Sequence, residues 1–223
     1  MPAVAPTVRR NPQGWQTSLP ERQNGDRGTE VTPPRPHGGD LGGHTGPMLR
    51  APATATLPEL LLRPWRDDDA DALMAAYRDP VLLRWTRAPV TTTTEARRFV
   101  AAAHRDWDGG GRFSFAVVEP GPTGETLVAQ VVLKNVAEGR GDAEVGYWTA
   151  APARGRGIAG HALEAVTGWA FARFAGMRRL DLMHQIDNPA SCRVAEKAGY
   201  RFQEVLPARP PFPRDGHRHA RWA

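Results

Sequence analysis

Apolar residues follow two rhythms along this chain. Runs of strand length, alternating or densely apolar, occur at residues 57–63 (LPELLLR), 113–118 (FSFAVV), 126–136 (TLVAQVVLKNV), 143–149 (AEVGYWT) and 179–186 (RLDLMHQI). Between them lie helical spacings. Ala70, Leu73, Met74 and Tyr77 fall at i, i+3, i+4 and i+7, behind Asp67, Asp68 and Asp69, whose charges suit the positive end of a helix dipole. Thr92 and Glu95 have the spacing of a capping box, ahead of an apolar side made by Phe99, Val100, Ala103 and Trp107. That helix is expected to stop at Gly109, Gly110 and Gly111. The longest helix is expected over 157–174, with Ile158, Ala162, Leu163, Val166, Trp169 and Ala170 inward. Asn188 as cap and Pro189 in the first turn open a short helix that ends at Gly199. Segments 200–206 and 217–222 complete the set. The turn-rich connections 121–124 and 138–141 predict an antiparallel meander within an α/β architecture.

The first 55 residues break this pattern. They are rich in Pro, Gly and polar side chains and carry no apolar period, so ordering them costs more than their burial returns. A disordered tail is expected over 1–55 and one folded domain over 56–223. Met48 stands just ahead of the folded part as a candidate natural start. A secretory leader is disfavoured, because no compact apolar core with a small-residue cleavage site is present, and a transit or anchoring role stands well behind the disordered tail. No apolar run approaches the ~20 residues that span a bilayer.

Composition adds little about ligands. The 223 residues carry a formal net charge of +5, and nearly all the cations are Arg, with Lys only at 134 and 197. That bias reads as a GC-rich, bacterial genome; a cytoplasmic location is a separate expectation. The arginines are scattered, so no nucleic-acid surface is assigned. One cysteine, Cys192, excludes a disulfide framework and a four-thiolate zinc site. His37 and His44 are too sparse to claim as ligands, and no metal is expected. A Cys192 nucleophile is set aside, since neither His161 nor His184 stands in a readable triad.

The chemistry concentrates in EVGYWTAAPARGRGIAG, residues 144–160. A strand ends, a short loop holds Arg154, Gly155, Arg156, Gly157, Ile158 and Ala159, and a long helix begins. Glycine lets backbone N–H groups approach a ligand, and the first N–H groups of a helix are unpaired and favour an anion. Two arginines would add mobile positive charge. The loop therefore reads as a pyrophosphate cradle. It lacks the Gly-Lys-Ser/Thr of a Walker loop and the Gly-x-Gly-x-x-Gly of a dinucleotide fold. Taken alone, a plain basic turn or an RNA-binding one remains open.

The succession of strand, cradle, long helix, strand, Asn-capped short helix and Gly-aromatic pair resembles the GNAT superfamily of acetyl-CoA-dependent N-acetyltransferases. Arg154 to Ala159 match its Q/R-x-x-G-x-G/A motif, and Asn188 to Tyr200 match its downstream asparagine-to-Gly-aromatic motif. The GYW before the cradle and the NPAS after it are similar to the branch that acetylates ribosomal-protein α-amines. The resemblance implies a mixed, mostly antiparallel central sheet with helices on both faces and a splayed parallel strand pair. It implies acetyl-CoA as cosubstrate, held by the backbone of residues 154–159, with its pantetheine arm between the splayed strands and against the Asn188 side chain. A β-bulge near Tyr147, Trp148, Thr149 and Ala150 would free a backbone N–H for the thioester oxygen. Glu144 would be the general base. The tyrosine that many members use as acid is Ala195 here, and Ser191 takes its place in the resembling branch. Plainer readings stand beside these: a solvent-facing strand glutamate, a helix-capping asparagine and a first-turn serine. Tyr77 and Trp85 would border the acceptor pocket, and His184 would line the cleft or sit half-buried.

The resemblance leaves the acceptor open. A protein N-terminal α-amine comes first, with a ribosome or ribosomal-protein contact, and a small amine (antibiotic, polyamine or amino-acid derivative) second. A catalytically silent CoA-binding or RNA-binding module is the reading from another class. A monomer or a homodimer is expected, without a membrane partner.

Overall fold

The computed structural model describes residues 46–86, 88–209 and 213–223. Among the described residues eight strands form one sheet in the order β1-β2-β3-β4-β5-β6-β8-β7: β1 Leu49–Ala51, β2 Leu60–Pro64, β3 Arg112–Gly121, β4 Gly124–Lys134, β5 Asp142–Thr149, β6 Arg179–Gln185, β7 Arg201–Leu206 and β8 Gly216–Trp222. Every neighbouring pair is antiparallel except β5 and β6. The helices are α1 Ala70–Ala76, α2 Pro80–Trp85, α3 Thr93–Asp108, α4 Ile158–Arg173 and α5 Pro189–Lys197. The mixed, mostly antiparallel sheet expected from the resemblance is thus present. Among the described residues no helix is long and apolar enough to cross a membrane.

Side chains alternate across a strand, so the sheet feeds two cores. Ala143 and Val145 of β5 pack with Ile158, Ala162, Leu163 and Val166 of α4 and Ala195 of α5. Trp148, on the opposite side of the same strand, packs with Leu73 of α1, Val100 of α3, and Tyr77. Helices therefore cover both faces. The local cap rules hold: Thr92 and Glu95 form the capping box of α3, and Asn188 Oδ1 accepts from the Ser191 N–H at the start of α5.

Two expectations change. The folded part does not wait until residue 56: Leu49 to Ala51 pair with Leu62 to Leu60, and Ala51 is buried. Three residues carry no readable period, so pairing with β2 alone makes them a strand. The expectation for residues 1–45, His37 and His44 included, lies outside the described residues. Second, Asp67–Asp69 form a 3₁₀ turn, and Asp69 serves a partner rather than a dipole. Its carboxylate accepts from both terminal nitrogens of Arg63, at 2.8 and 2.9 Å, with side-chain exposures of 5% for Arg63 and 8% for Asp69. It also accepts from the Arg66 N–H. Removing one member of a buried pair strands the other charge. Asp69→Ala should cost about 3 kcal/mol, the low end for such a loss because Glu125 still faces Arg63. Urea unfolding measures this, and a change below about 0.5 kcal/mol would show that Arg63 reaches water instead.

Candidate active site

The parallel pairing of β5 with β6 runs from Asp142↔Arg179 to Val145↔Leu182 and ends there. Beyond it the two strands part. On its other side β5 stays in unbroken register with β4, from Lys134↔Glu144 to Ala129↔Thr149, and the Ala150 N–H donates to Val128 O at 2.9 Å. The expected bulge over 147–150 is therefore absent. Antiparallel ladders alternate the direction of their bonds. With Ala150, Trp148, Gly146 and Glu144 bonded toward β4, the N–H groups of Tyr147 and Thr149 point toward β6, into the opening. The splay supplies the free donors for which a bulge was expected.

The chain then passes Ala151–Ala153, a 3₁₀ turn, and enters α4. Gly155 and Gly157 adopt φ of 75° and 79°, in the left-handed region that only glycine enters cheaply. A Cβ on Gly157 would lie 2.6 Å from Leu57 Cδ2. Gly157 is the N-cap of α4 and has no side chain to satisfy the first turn, so the N–H groups of Ile158, Ala159 and Gly160 face outward without intrahelical partners. An anion is the natural complement of that end. The arginine side chains are not mobile charges as expected. Arg154 is ion-paired with Asp79, the N-cap of α2, and Arg156 donates twice to Glu119 at 2.8 and 2.9 Å. The Arg154 guanidinium holds the Asp79 carboxyl below the usual range. What the loop offers a diphosphate is chiefly backbone.

Glu144 is nearly buried on the α1–α3 side of β5, where its carboxylate meets Lys134 Nζ and accepts from Asn135 Nδ2 at 3.2 Å. Opposite it across the parallel ladder lies Asp181. Burial pushes the Asp181 carboxyl up, while Arg179 and Arg218 pull it down. Asp181 went unread in the sequence, although an acid between Leu180 and Leu182 in a strand buried on both faces is a signal of its kind.

Tyr147 projects to the other side and reaches α5 across the opening. Its phenol oxygen lies 3.1 Å from Ser191 Oγ. Burial raises the Tyr147 pKa, so the phenol keeps its proton. Ala195 is fully buried. Tyr200, the aromatic of the Gly-aromatic pair, bonds Thr167 and is pushed up to about 12 by burial, a core residue rather than an acid. A phenol from β5 thus stands near the serine of α5, a pairing invisible at a sequence separation from 147 to 191. Asn188 spends Oδ1 on its cap, which leaves Nδ2 for a ligand.

Other expected residues sit as follows. The Trp148 ring lies in the second core, donating to Gln130 Oε1 and 6.1 Å from the Tyr77 ring, so only its backbone lines the opening. Trp85 is half-buried under the Arg84 guanidinium, 4.7 Å from its ring centre. Arg84 also bonds Asp187, at 2.9 Å, tying α2 to the turn before α5. His184 is half-buried, and burial lowers its pKa. Cys192 has its thiol pushed up by burial, which argues against a thiolate nucleophile. Around it, however, the fold gathers His184, His217 and His219. Positions 184, 192, 217 and 219 fit no sequence spacing for a metal, which is why none was expected.

Residues 59–201 match the acetyltransferase (GNAT) domain family. No curated protein sequence matches the chain. Among solved structures, RimJ of Mycobacterium smegmatis in complex with CoA-disulfide aligns with a TM-score of 0.66 at 24% identity, over 80% of this chain and 86% of that one. RimL, a ribosomal L7/L12 alpha-N-protein acetyltransferase in complex with coenzyme A, gives 0.67 at 20% identity, over 78% and 97%. The microcin C7 self immunity acetyltransferase MccE, in complex with acetyl-CoA and AMP, gives 0.67 at 16%, over 76% and 98%.

Proposed function

Since the chain belongs to the GNAT acetyltransferase family, we propose that it moves the acetyl group of acetyl-CoA directly onto a primary amine, and that its acceptor is the α-amine of a protein N-terminus, as on a ribosomal protein. One observation carries the reading. The N–H groups of Tyr147 and Thr149 face the opening between β5 and β6, and the chain runs from there into the glycine-opened start of α4. Thioester donors and diphosphate donors thus follow one another along a single cleft wall.

The roles follow from the chemistry. An α-amine has a pKa of about 7.7–8.0, so near neutral pH a base must remove only part of a proton, whereas a lysine amine near ~10.4 asks more. Glu144 takes that proton, directly or through water. The Tyr147 or Thr149 N–H holds the oxyanion as the amine adds to the thioester carbonyl. The departing sulfur takes a proton from the Tyr147–Ser191 pair, and Asn188 Nδ2 and the N–H groups of residues 154–159 hold the rest of the cosubstrate. The ribosomal acceptor is supported by the NPAS of residues 188–191 and by the activity named for RimL.

The test is thiol release from acetyl-CoA with peptides beginning Ser or Ala set against polyamines, with the acetylated atom located by mass spectrometry. The expected product carries one acetyl on the peptide α-amine. Turnover confined to small amines would move the acceptor to that class. Cofactor binding without turnover on any amine would overturn the reading in favour of a silent module. Within it, Tyr147→Phe and Ser191→Ala should each lower kcat about 10-fold, less than a typical general acid because a thiol near ~8.5 leaves readily. The double variant should lose little more than either single one, as for two members of one unit.

A further inference from the structure

Outside the acetyl-transfer site lies a second concentration of chemistry. β6 and β8 pair so that His184 stands beside His217 and Leu182 beside His219. Alternation then puts all three imidazoles on the side covered by α5, from which Cys192 reaches them. Cys192 Sγ is 3.5 Å from His184 Nε2 and 3.2 Å from His217 Nδ1, and His184 Nε2 is 3.3 Å from His219 Nε2. One ligand atom from each residue lies within 4.8 Å of all the others. His219 is fully buried and the other three are half-buried.

We propose that His184, Cys192, His217 and His219 form a four-ligand Zn²⁺ site.

Three features favour an ion over a mere hydrogen-bonded cluster. First, a tetrahedron with Zn–N near ~2.1 Å and Zn–S near ~2.3 Å has edges of roughly 3.3–3.7 Å, and the three closest separations fall at or beside that range. Second, His184 Nδ1 faces the Gln185 carbonyl oxygen at 2.8 Å. A carbonyl only accepts, so Nδ1 carries the hydrogen and Nε2 turns its lone pair into the cluster. A ligand histidine is oriented in this way, with its second nitrogen donating to a backbone carbonyl. Third, two imidazole nitrogens press on one thiol, which has a single proton to give. An ion satisfies all four atoms at once: the thiol proton leaves to solvent, and the thiolate and three neutral imidazoles bind.

The donor set of three nitrogens and one sulfur suits Zn²⁺, and four protein ligands make a closed, structural site rather than a Lewis-acid centre. Its consequence is mechanical. Cys192 follows Ser191 in α5, so the ion pins the first turns of that helix to β6 and β8, and with them Ser191 and Asn188. No step of acetyl transfer passes through it.

The full-length chain, stripped with a chelator, is titrated with Co²⁺ and then with Zn²⁺. One equivalent of Co²⁺ should give a thiolate-to-cobalt charge-transfer band and tetrahedral visible absorption, both displaced by one equivalent of Zn²⁺. Cys192→Ser should abolish the charge-transfer band. It and His217→Gln should each weaken zinc binding by at least ~100-fold, more than the loss of an outer-shell partner. Zinc should raise the thermal midpoint of the wild type and of neither variant. Should the serine variant fail to fold, His217→Gln decides, because that ring is only half-buried. A charge-transfer band absent from the wild type, or zinc affinity unchanged in His217→Gln, would overturn the proposal. These readouts use neither acetyl-CoA nor an acceptor, so their failure leaves the acetyl-transfer reading untouched.

Discussion

Glu144→Gln lowers turnover on every accepted amine by about 10²–10⁴-fold, the usual contribution of a positioned general base, and leaves acetyl-CoA affinity within a factor of about two. Glutamine keeps the shape and can still accept from Asn135 Nδ2. It cannot take a proton from the amine. The residual rate should still climb with pH, because solvent deprotonates an α-amine with a pKa of about 7.7–8.0 and the variant can use only the amine that arrives neutral. A measured kcat within about threefold of the wild type would remove Glu144 from the chemistry. Asp181 would then be the group to replace, since it lies beside Glu144 and burial raises its pKa. Loss of the ion pair with Lys134 is a separate effect of the same change. Urea unfolding distinguishes it, because a folding defect moves the unfolding midpoint and a missing base does not.

Gly157→Val weakens acetyl-CoA binding by roughly 10–100-fold. The residue sits at φ 79°, where a β-branched side chain is strained, and its Cβ would collide with Leu57 Cδ2 at 2.6 Å. Strain of about 1–3 kcal/mol cannot be relieved without turning the peptide, and the N–H groups of Ile158 and Ala159 turn with it. Gly155→Ala is the graded control: φ is 75° but no atom lies within 4 Å of the added methyl, so it carries strain without collision and should lose less. Calorimetric titration of acetyl-CoA reads both. A folded Gly157→Val chain that binds with wild-type affinity would show that the diphosphate is held elsewhere.

Much of this molecule is legible in its sequence. The Thr92–Glu95 capping box, the Asn188 cap and the buried face of α4 rest on spacings of three or four residues, and such spacings act through local hydrogen bonds and one helix surface. Strands β3 to β6 are legible in the same way, through alternating or densely apolar runs with turn-rich ends. So did Gly155 and Gly157, because a strand-to-helix turn that must expose backbone has few residues to choose from. These features need only the chain's near neighbours.

The partnerships were not legible. Asp67, Asp68 and Asp69 have the placing of dipole acids, yet Asp69 answers the buried Arg63, a charge it shares with Glu125. Residues 49–51 looked like tail until β2 lay beside them. The free N–H groups of Tyr147 and Thr149 come from two strands parting, not from an irregularity in one. Arg154 with Asp79, Tyr147 with Ser191, and the gathering of Cys192 with three histidines each join residues from separate elements. Periodicity says which way a side chain points from its own strand or helix. Which strand or helix lies opposite is settled when the sheet order closes, and in this protein that step assembles the charge pairs, the proton donors and the imidazole cluster.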